Sequence, residues 1–132
     1  MWDLLIVDPI TNLLLLFYQW LGNNTVLALA RYVDTLGALE TSHITRTSVM
    51  ARSLARAMGM EGGTVENLAL AGLLHDVGKV FIPESVLTKP GGLNAAEWRL
   101  MRQHPDMGIR LLNPAASFTA AIQAVEAHHE RF

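Results

Sequence analysis

The strongest constraint on the fold is an almost entirely apolar segment in the middle of the chain, which leads directly into His75-Asp76. Thr64 opens this segment as a typical helix N-cap residue, and Gly78 follows it as a typical helix terminator. The segment therefore predicts a helix over about residues 64–76 with apolar side chains on nearly every side. A helix of this kind must be central, because it has no polar face to present to water.

Helical start and stop signals continue along the rest of the chain. Asn94 with Glu97 three residues later is a capping-box pattern, Gly59 is a helix stop, and Ser117 caps a last helix. The other predicted helices cover about residues 41–58, 94–103, 107–112 and 117–131. No alternating strand of useful length is present, so we predict an all-α bundle of roughly six to seven helices.

Length and composition limit the class of protein. The chain has 132 residues, which predicts one compact domain, and it has no cysteine, which excludes disulfides, thiolate metal ligands and cysteine nucleophiles. A formal net charge of −2 argues against binding to a nucleic-acid polymer. Without cysteines or an export signal, we expect a cytoplasmic protein.

The N-terminal segment differs in composition from the rest. Residues 1–30 hold 20 apolar residues and only two charged ones, Asp3 and Asp8. Polar residues interrupt the run, so it predicts neither a membrane-spanning helix nor a secretory signal. Instead we predict a helix capped by Asp8 and ended by Gly22, followed by a second helix that begins at Asn24.

We interpret residues 1–27 as an apolar helical extension of a domain over residues 28–132. The extension could cover a protein interface, the domain's own core or a membrane surface; we favour a homodimer through these helices. Its first residues, MWDLLIVDPITNLLLLFYQWLGNN, also resemble the opening of bacterial YidC-type membrane insertases.

The histidines suggest a metal site. They stand at positions 43, 75, 104, 128 and 129, with His75 beside Asp76 and His128 beside His129. A single histidine is more often structural than a ligand, and Asp76 could simply cap a turn. Imidazole and carboxylate donors together nevertheless suit zinc, manganese or iron better than calcium, which requires oxygen ligands.

The segment HDVGKVFIPESVLTKPGGLNAAEW, followed by HPDMG and HHERF, closely resembles the HD-GYP class of HD-domain metal phosphohydrolases. The resemblance covers about residues 28–132 and implies a helical bundle that binds two or three metal ions and hydrolyses cyclic dinucleotides. It implies that Asp76 bridges two metals and that Lys79 contacts the scissile phosphate. The metal ligands that it implies are His43, His75, Asp76, His104, His128 and His129.

The sequence also departs from that pattern. The DGxGYP loop and a further helix with another aspartate ligand do not follow the HHE string, so we expect an HD domain that lacks the family's C-terminal helices. The first metal keeps Asp76, His104, His128 and His129, whereas the second keeps only His43, His75 and Asp76. Leu39 stands where the family often has an acid, with Glu40 one residue late, so a third metal is not expected.

These residues predict a metal-dependent phosphodiesterase in which a water activated by two metals attacks phosphorus. Asp76 and Lys79 are the predicted catalytic residues, and Lys79, Arg46 and Arg131 are the predicted substrate contacts. We expect two divalent ions, manganese, iron or zinc, no organic cofactor, and broad specificity for small or activated phosphodiesters, with cyclic dinucleotides as possible substrates. The alternative is a degenerate HD module that binds metal or nucleotide, or forms an interaction surface, without catalysis.

Overall fold

The computed structural model describes residues 9–36, 43–113 and 118–130, and over these ranges it is helical with no strand. The prediction of an all-α bundle is therefore confirmed. A 3₁₀ helix, Val77–Phe81, lies between α3 and α4. The α-helices are α1 (Pro9–Leu36), α2 (His43–Ala57), α3 (Gly63–Leu74), α4 (Glu84–Leu87), α5 (Ala95–Met101), α6 (His104–Leu112) and α7 (Thr119–Glu126).

Helix α3 is central, as its apolar sequence predicted. It packs against α2 on one side and α7 on the other, and its last residue, Leu74, is fully buried. Its start differs from the prediction, because Gly62 rather than Thr64 is the N-cap residue. Gly62 has a φ of 56°, a conformation open to glycine, which lets the N-cap lie two residues earlier than predicted.

Helix α1 is one continuous helix, so the predicted break between Gly22 and Asn24 is wrong. The Asn24 side chain donates a hydrogen bond to the Trp20 carbonyl at 2.7 Å, and the Thr25 hydroxyl donates to the Leu21 carbonyl at 2.9 Å. Both side chains therefore bond back within the helix and do not cap a new one. A glycine inside a helix costs only about 1 kcal/mol, which the packing of the second half of α1 can offset.

The second half of α1 belongs to the core of the bundle. Val26, Ala30 and Val33 are buried, and the first two join a cluster that includes Leu74 and Leu112. The helix thus runs across the predicted boundary between residues 27 and 28. None of the helices in the described ranges has the length and apolar character needed to cross a membrane.

Gly78 brings the 3₁₀ helix into direct contact with α6. A Cβ atom at this position would lie 1.9 Å from the His104 carbonyl oxygen and 2.5 Å from the Gly108 nitrogen. Gly78 was predicted to end a helix, but it lies inside the 3₁₀ helix, and its role is this close approach. The contact holds the residues after α3 beside the first turn of α6.

We expect Gly78→Ala to destabilise the fold by at least about 3 kcal/mol, because both clashing groups are backbone atoms that cannot rotate away. Thermal unfolding followed by circular dichroism measures this effect. Gly63→Ala is the matched control, since a Cβ atom added there would have nothing within 4 Å. An unchanged melting temperature in Gly78→Ala would contradict the tight contact.

Candidate metal centre

Three of the histidines share one local geometry, in which the ring nitrogen Nδ1 bonds to a carbonyl in the last turn of the helix that precedes the histidine. The Nδ1 atoms of His75, His104 and His128 lie 2.8, 2.7 and 2.5 Å from the carbonyl oxygens three residues earlier. The last carbonyls of a helix have no partner within the helix, so they accept these bonds readily. In the neutral imidazole, which is the form that binds a metal, Nδ1 therefore carries the proton and Nε2 has the lone pair.

The end of the last helix explains the position of His128. Helix α7 ends at Glu126, short of the predicted end near Arg131, and His128 and His129 lie in the turn that follows. This early end places His128 where its Nδ1 can donate to the Val125 carbonyl in the last turn of α7. The predicted helical position of the pair is thus wrong, although the pair reaches the site.

The free Nε2 atoms converge on Asp76. His104 Nε2 lies 3.3 Å and His128 Nε2 lies 3.8 Å from Asp76 Oδ1, whereas His75 Nε2 lies 3.3 Å from Oδ2. Lys79 Nζ donates to the same Oδ2 at 2.7 Å. The two oxygens of one carboxylate therefore face two different groups of donors.

The histidines and Asp76 form two clusters, and Asp76 belongs to both. Within each cluster the potential ligand atoms lie within 4.8 Å of one another. The first cluster contains Asp76, His104, His128 and His129, and the second contains His43, His75 and Asp76. Each cluster has an exposed histidine, His129 in the first and His43 in the second, but only the first also has a fully buried one, His104. The structure thus brings together all six residues that the sequence singled out as ligands.

The first cluster has the electrostatics of a cation site. His104 Nε2 lies 3.1 Å from His128 Nε2 and 3.3 Å from His129 Nε2. When both rings are neutral, with Nδ1 donating to a carbonyl, the Nε2 lone pairs of His104 and His128 face each other across the shorter distance. A cation between them would turn this repulsion into coordination by borderline nitrogen donors, so the residues fit a divalent transition metal.

The pKa values of His128, His129 and Asp76 agree with this interpretation, because all three are lowered and so favour the deprotonated forms that bind a metal. Burial, only partly opposed by the bond to Val125, lowers the pKa of His128 to about 4, and burial also lowers the pKa of His129. Burial opposes ionisation of Asp76, but hydrogen bonds with His104 and His75 outweigh it and hold its pKa well below the usual range. Burial likewise opposes the protonation of His75, but the hydrogen bond and charge of Asp76 prevail and raise its pKa.

The two predicted arginine contacts differ in what the structure describes. Arg46 is an exposed residue on α2 and does not line the cavity beside the histidines. Arg131 lies outside the described residues. Of the two predicted substrate contacts within the described ranges, Lys79 lines the cavity and Arg46 does not.

A cavity of about 560 Å³ opens beside the two clusters. His43, His75, Asp76, Lys79, His128 and His129 line one end of it. The remaining lining residues are Thr47, Ala51, Leu68, Ala71, Gly72 and Ala124. The sequence does not predict that these residues line a cavity, because small and apolar residues are equally typical of a helix core.

Comparison with known proteins identifies the family. The chain belongs to the HD-domain family, whose profile matches residues 18–132. It is 34% identical over 106 residues to the 3'3'-cGAMP-specific phosphodiesterase 2 of Vibrio cholerae, covering 79% of this chain and 20% of that relative. It is 35% identical over 106 residues to a cyclic di-GMP phosphodiesterase of Pseudomonas aeruginosa, covering 80% and 25%.

A cyclic di-GMP phosphodiesterase of Thermotoga maritima is 37% identical over 92 residues, covering 68% of this chain and 25% of the relative. The chain thus spans about a fifth to a quarter of the length of these curated relatives. The resemblance predicted from the HD and HHE motifs is confirmed at the level of the family.

The two clusters predict the metal content. After loading with Mn²⁺ and gel filtration, we expect about two ions per chain by elemental analysis, since each cluster supplies at least three ligands. His43→Ala should lower this to about one, because only the second cluster loses a ligand. Asp106→Asn, which removes an exposed carboxylate on α6, is the control. Equal metal content in wild type and His43→Ala would contradict a second site.

Proposed function

We propose that this chain is a metal-dependent phosphodiesterase that hydrolyses small or activated phosphodiesters, including cyclic dinucleotides. The observation that supports it best is the convergence of three Nε2 atoms and Lys79 on the shared carboxylate of Asp76. The relatives named for cyclic di-GMP or cGAMP hydrolysis favour the same reaction. They leave the preferred substrate of this chain open.

In this proposal Asp76 would be a ligand of both metals. His104, His128 and His129 complete the first site, and His43 and His75 complete the second. Manganese, iron or zinc bound here would supply Lewis-acid activation of a water and charge neutralisation at the phosphoryl oxygens. The second site has fewer protein ligands, which leaves positions for water and substrate.

Lys79 provides a positive charge at the mouth of the site. Its ammonium group is bound to Asp76 Oδ2, the oxygen that also faces His75. With a metal held by Asp76, the Lys79 ammonium group would be available to contact a phosphate oxygen. Its charge would then stabilise the negative charge that develops on the phosphoryl group. Additional contacts from Arg46 and Arg131 stay predictions.

Hydrolysis of bis(p-nitrophenyl) phosphate with Mn²⁺ tests the proposal. We expect Asp76→Asn to abolish activity, because the substitution removes the charge that both sites share. Lys79→Ala should lower kcat/KM by roughly 10²-fold, in line with the loss of one stabilising charge. The matched control is Lys89→Ala, because Lys89 is paired with Glu97 at 2.7 Å and does not line the cavity.

Wild-type protein that carries two metals but shows no hydrolysis would overturn the proposal. That result would favour the alternative of a module that binds metal or nucleotide without catalysis. Activity unchanged in Asp76→Asn would contradict catalysis at this centre.

We also propose that the chain forms a homodimer through the first half of α1. Residues 9–30 contain no charged residue. The apolar side chains whose exposure the structure describes in the first four turns are all 45–68% exposed: Leu13, Leu16, Phe17, Trp20 and Leu21. Their spacing of three and four residues places them along one side of the helix.

These features favour a second copy of the chain as the binding partner of this exposed face of α1. A membrane-surface helix carries lysine or arginine beside its apolar face, and this segment has neither. Two identical uncharged faces can pair about a two-fold axis without charge repulsion. A stable interface removes roughly 800 Å² from each partner. Phe17 and Trp20, each able to bury roughly 150–250 Å², would supply much of that area.

Light scattering coupled to size-exclusion chromatography at micromolar concentration is expected to show a dimer. The double variant Leu13→Lys with Trp20→Lys should be monomeric, because two like charges on each copy would face each other. Trp98→Lys on α5 is the control, since it adds the same charge at another exposed tryptophan. A monomeric wild type would overturn the dimer, and co-sedimentation of that monomer with liposomes would assign the face to a membrane.

A further inference from the structure

His43, which begins α2, differs from the three histidines that follow helix ends. His75, His104 and His128 are each oriented by a bond from Nδ1 to a carbonyl of the preceding helical turn. His43 is the first residue of its helix, so no earlier turn of α2 can orient its ring in this way. The ring is also exposed, so close packing does not hold it. The position of His43 therefore depends on how the start of α2 is fixed.

Asp34, a residue of α1, binds the start of α2. The backbone N–H of Ile44 donates to Asp34 Oδ1 at 3.2 Å, although Asp34 precedes Ile44 by ten residues. The first four N–H groups of a helix have no carbonyl partner within that helix, and Ile44 is the second residue of α2. The Asp34 carboxylate therefore satisfies a donor that α2 cannot satisfy by itself, and it does so directly beside His43.

Burial makes this hydrogen bond important for the first turn of α2. Ile44 is buried and belongs to the hydrophobic core, Asp34 is half-buried, and the bond between them is partly buried. A buried N–H group that loses its partner is unfavourable, because water cannot replace the bond fully. The first turn of α2 is therefore more stable with the Asp34 carboxylate in place than without it.

The charge of the Asp34 carboxylate acts in the same direction as its hydrogen bond. The unpaired N–H groups give the beginning of a helix a partial positive charge, which a nearby carboxylate stabilises. The first turn of α2 contains no acidic residue of its own. Asp34 thus supplies from another helix the negative charge that a helix more often has in its own first turn.

The part of α1 that carries Asp34 is firmly packed. Ala30 and Val33, which precede Asp34 on the same helix, are both buried. Helix α1 packs against α2, against α3 and against the 3₁₀ helix that directly follows His75 and Asp76. The same helix therefore contacts both parts of the second cluster, the start of α2 and the segment after α3.

We propose that Asp34 is a positioning residue for the second metal site. Its bond to the start of α2 holds His43 beside His75, where the two rings lie 5.4 Å apart and the ligand atoms of the cluster lie within 4.8 Å of one another. Without this bond the first turn of α2 would fray, and the second site would lose a preformed ligand. This inference rests on the proposed function only for the assignment of His43 as a metal ligand.

Titration of the metal-free protein with Mn²⁺ tests this role, with the free ion measured by electron paramagnetic resonance. We expect Asp34→Ala to weaken the binding of one ion by roughly tenfold, as is typical when a residue that orients a metal ligand is lost, and to leave the other ion unchanged. Asp34→Asn should retain most of the affinity, because its amide oxygen can accept the same bond.

Two further variants assign the effect to the second site. Thr35→Ala is the matched control at the end of α1, since the Thr35 hydroxyl donates to the Tyr32 carbonyl within α1, and it should bind both ions like the wild type. In the His43→Ala background, Asp34→Ala should leave the affinity of the remaining ion unchanged. Equal weakening of both ions by Asp34→Ala, or no weakening, would overturn the proposal, as would a wild type that binds a single ion.

Hydrogen exchange of the Ile44 amide, followed by NMR, gives a readout that requires no metal. This amide should exchange more slowly in the wild type and in Asp34→Asn than in Asp34→Ala. Exchange in the metal-free wild type as fast as in an unstructured chain would overturn the proposal, which covers the case in which Asp34→Ala fails to fold. Hydrolysis of bis(p-nitrophenyl) phosphate by the same wild-type preparation tests the proposed function separately, because neither metal affinity nor exchange depends on turnover.

Discussion

The hydrogen bonds between histidine Nδ1 atoms and the last carbonyls of helices determine the rest of the site. Each bond satisfies a carbonyl that the helix leaves without a partner, and each fixes one imidazole tautomer. The Nε2 atoms are thereby left as lone-pair donors that point at Asp76. The hydrogen bonds at the ends of α3, α5 and α7 therefore satisfy helix carbonyls and also orient the histidine ligands. Stability and function thus depend on the same groups.

Bringing three helix ends to one point requires close backbone packing, which Gly78 and Gly72 provide. Gly78 holds the 3₁₀ helix against the backbone of α6, and this places His104 opposite the residues after α3. Gly72 allows α2 and α3 to touch at Ser48, which brings His43 near His75. A larger side chain at either position would separate the donors by a distance that no change of rotamer could restore.

Much of this could be predicted from the sequence, because strong local signals determine it. The apolar α3, the capping box of Asn94 and Glu97, and the six ligands were all predicted, and the structure reproduces the first two and brings the six together. The continuity of α1 was missed, because tertiary packing offset an unfavourable glycine. The cavity of about 560 Å³ was also missed, since Ala51 and Ala124 line it only once α2, α3 and α7 are packed together.

The two clusters around Asp76 differ in a way that suits different roles. The first cluster contains the buried His104 and four ligands, whereas the second contains the exposed His43 and three. Burial with a full ligand set favours tight, permanent binding, while exposure with fewer ligands leaves room for exchange. The cavity is lined by His43 and His75 of the second cluster and by His128 and His129 of the first, but not by His104. A ligand in the cavity would therefore meet both clusters, while the buried His104 contacts Asp76 without lining the cavity.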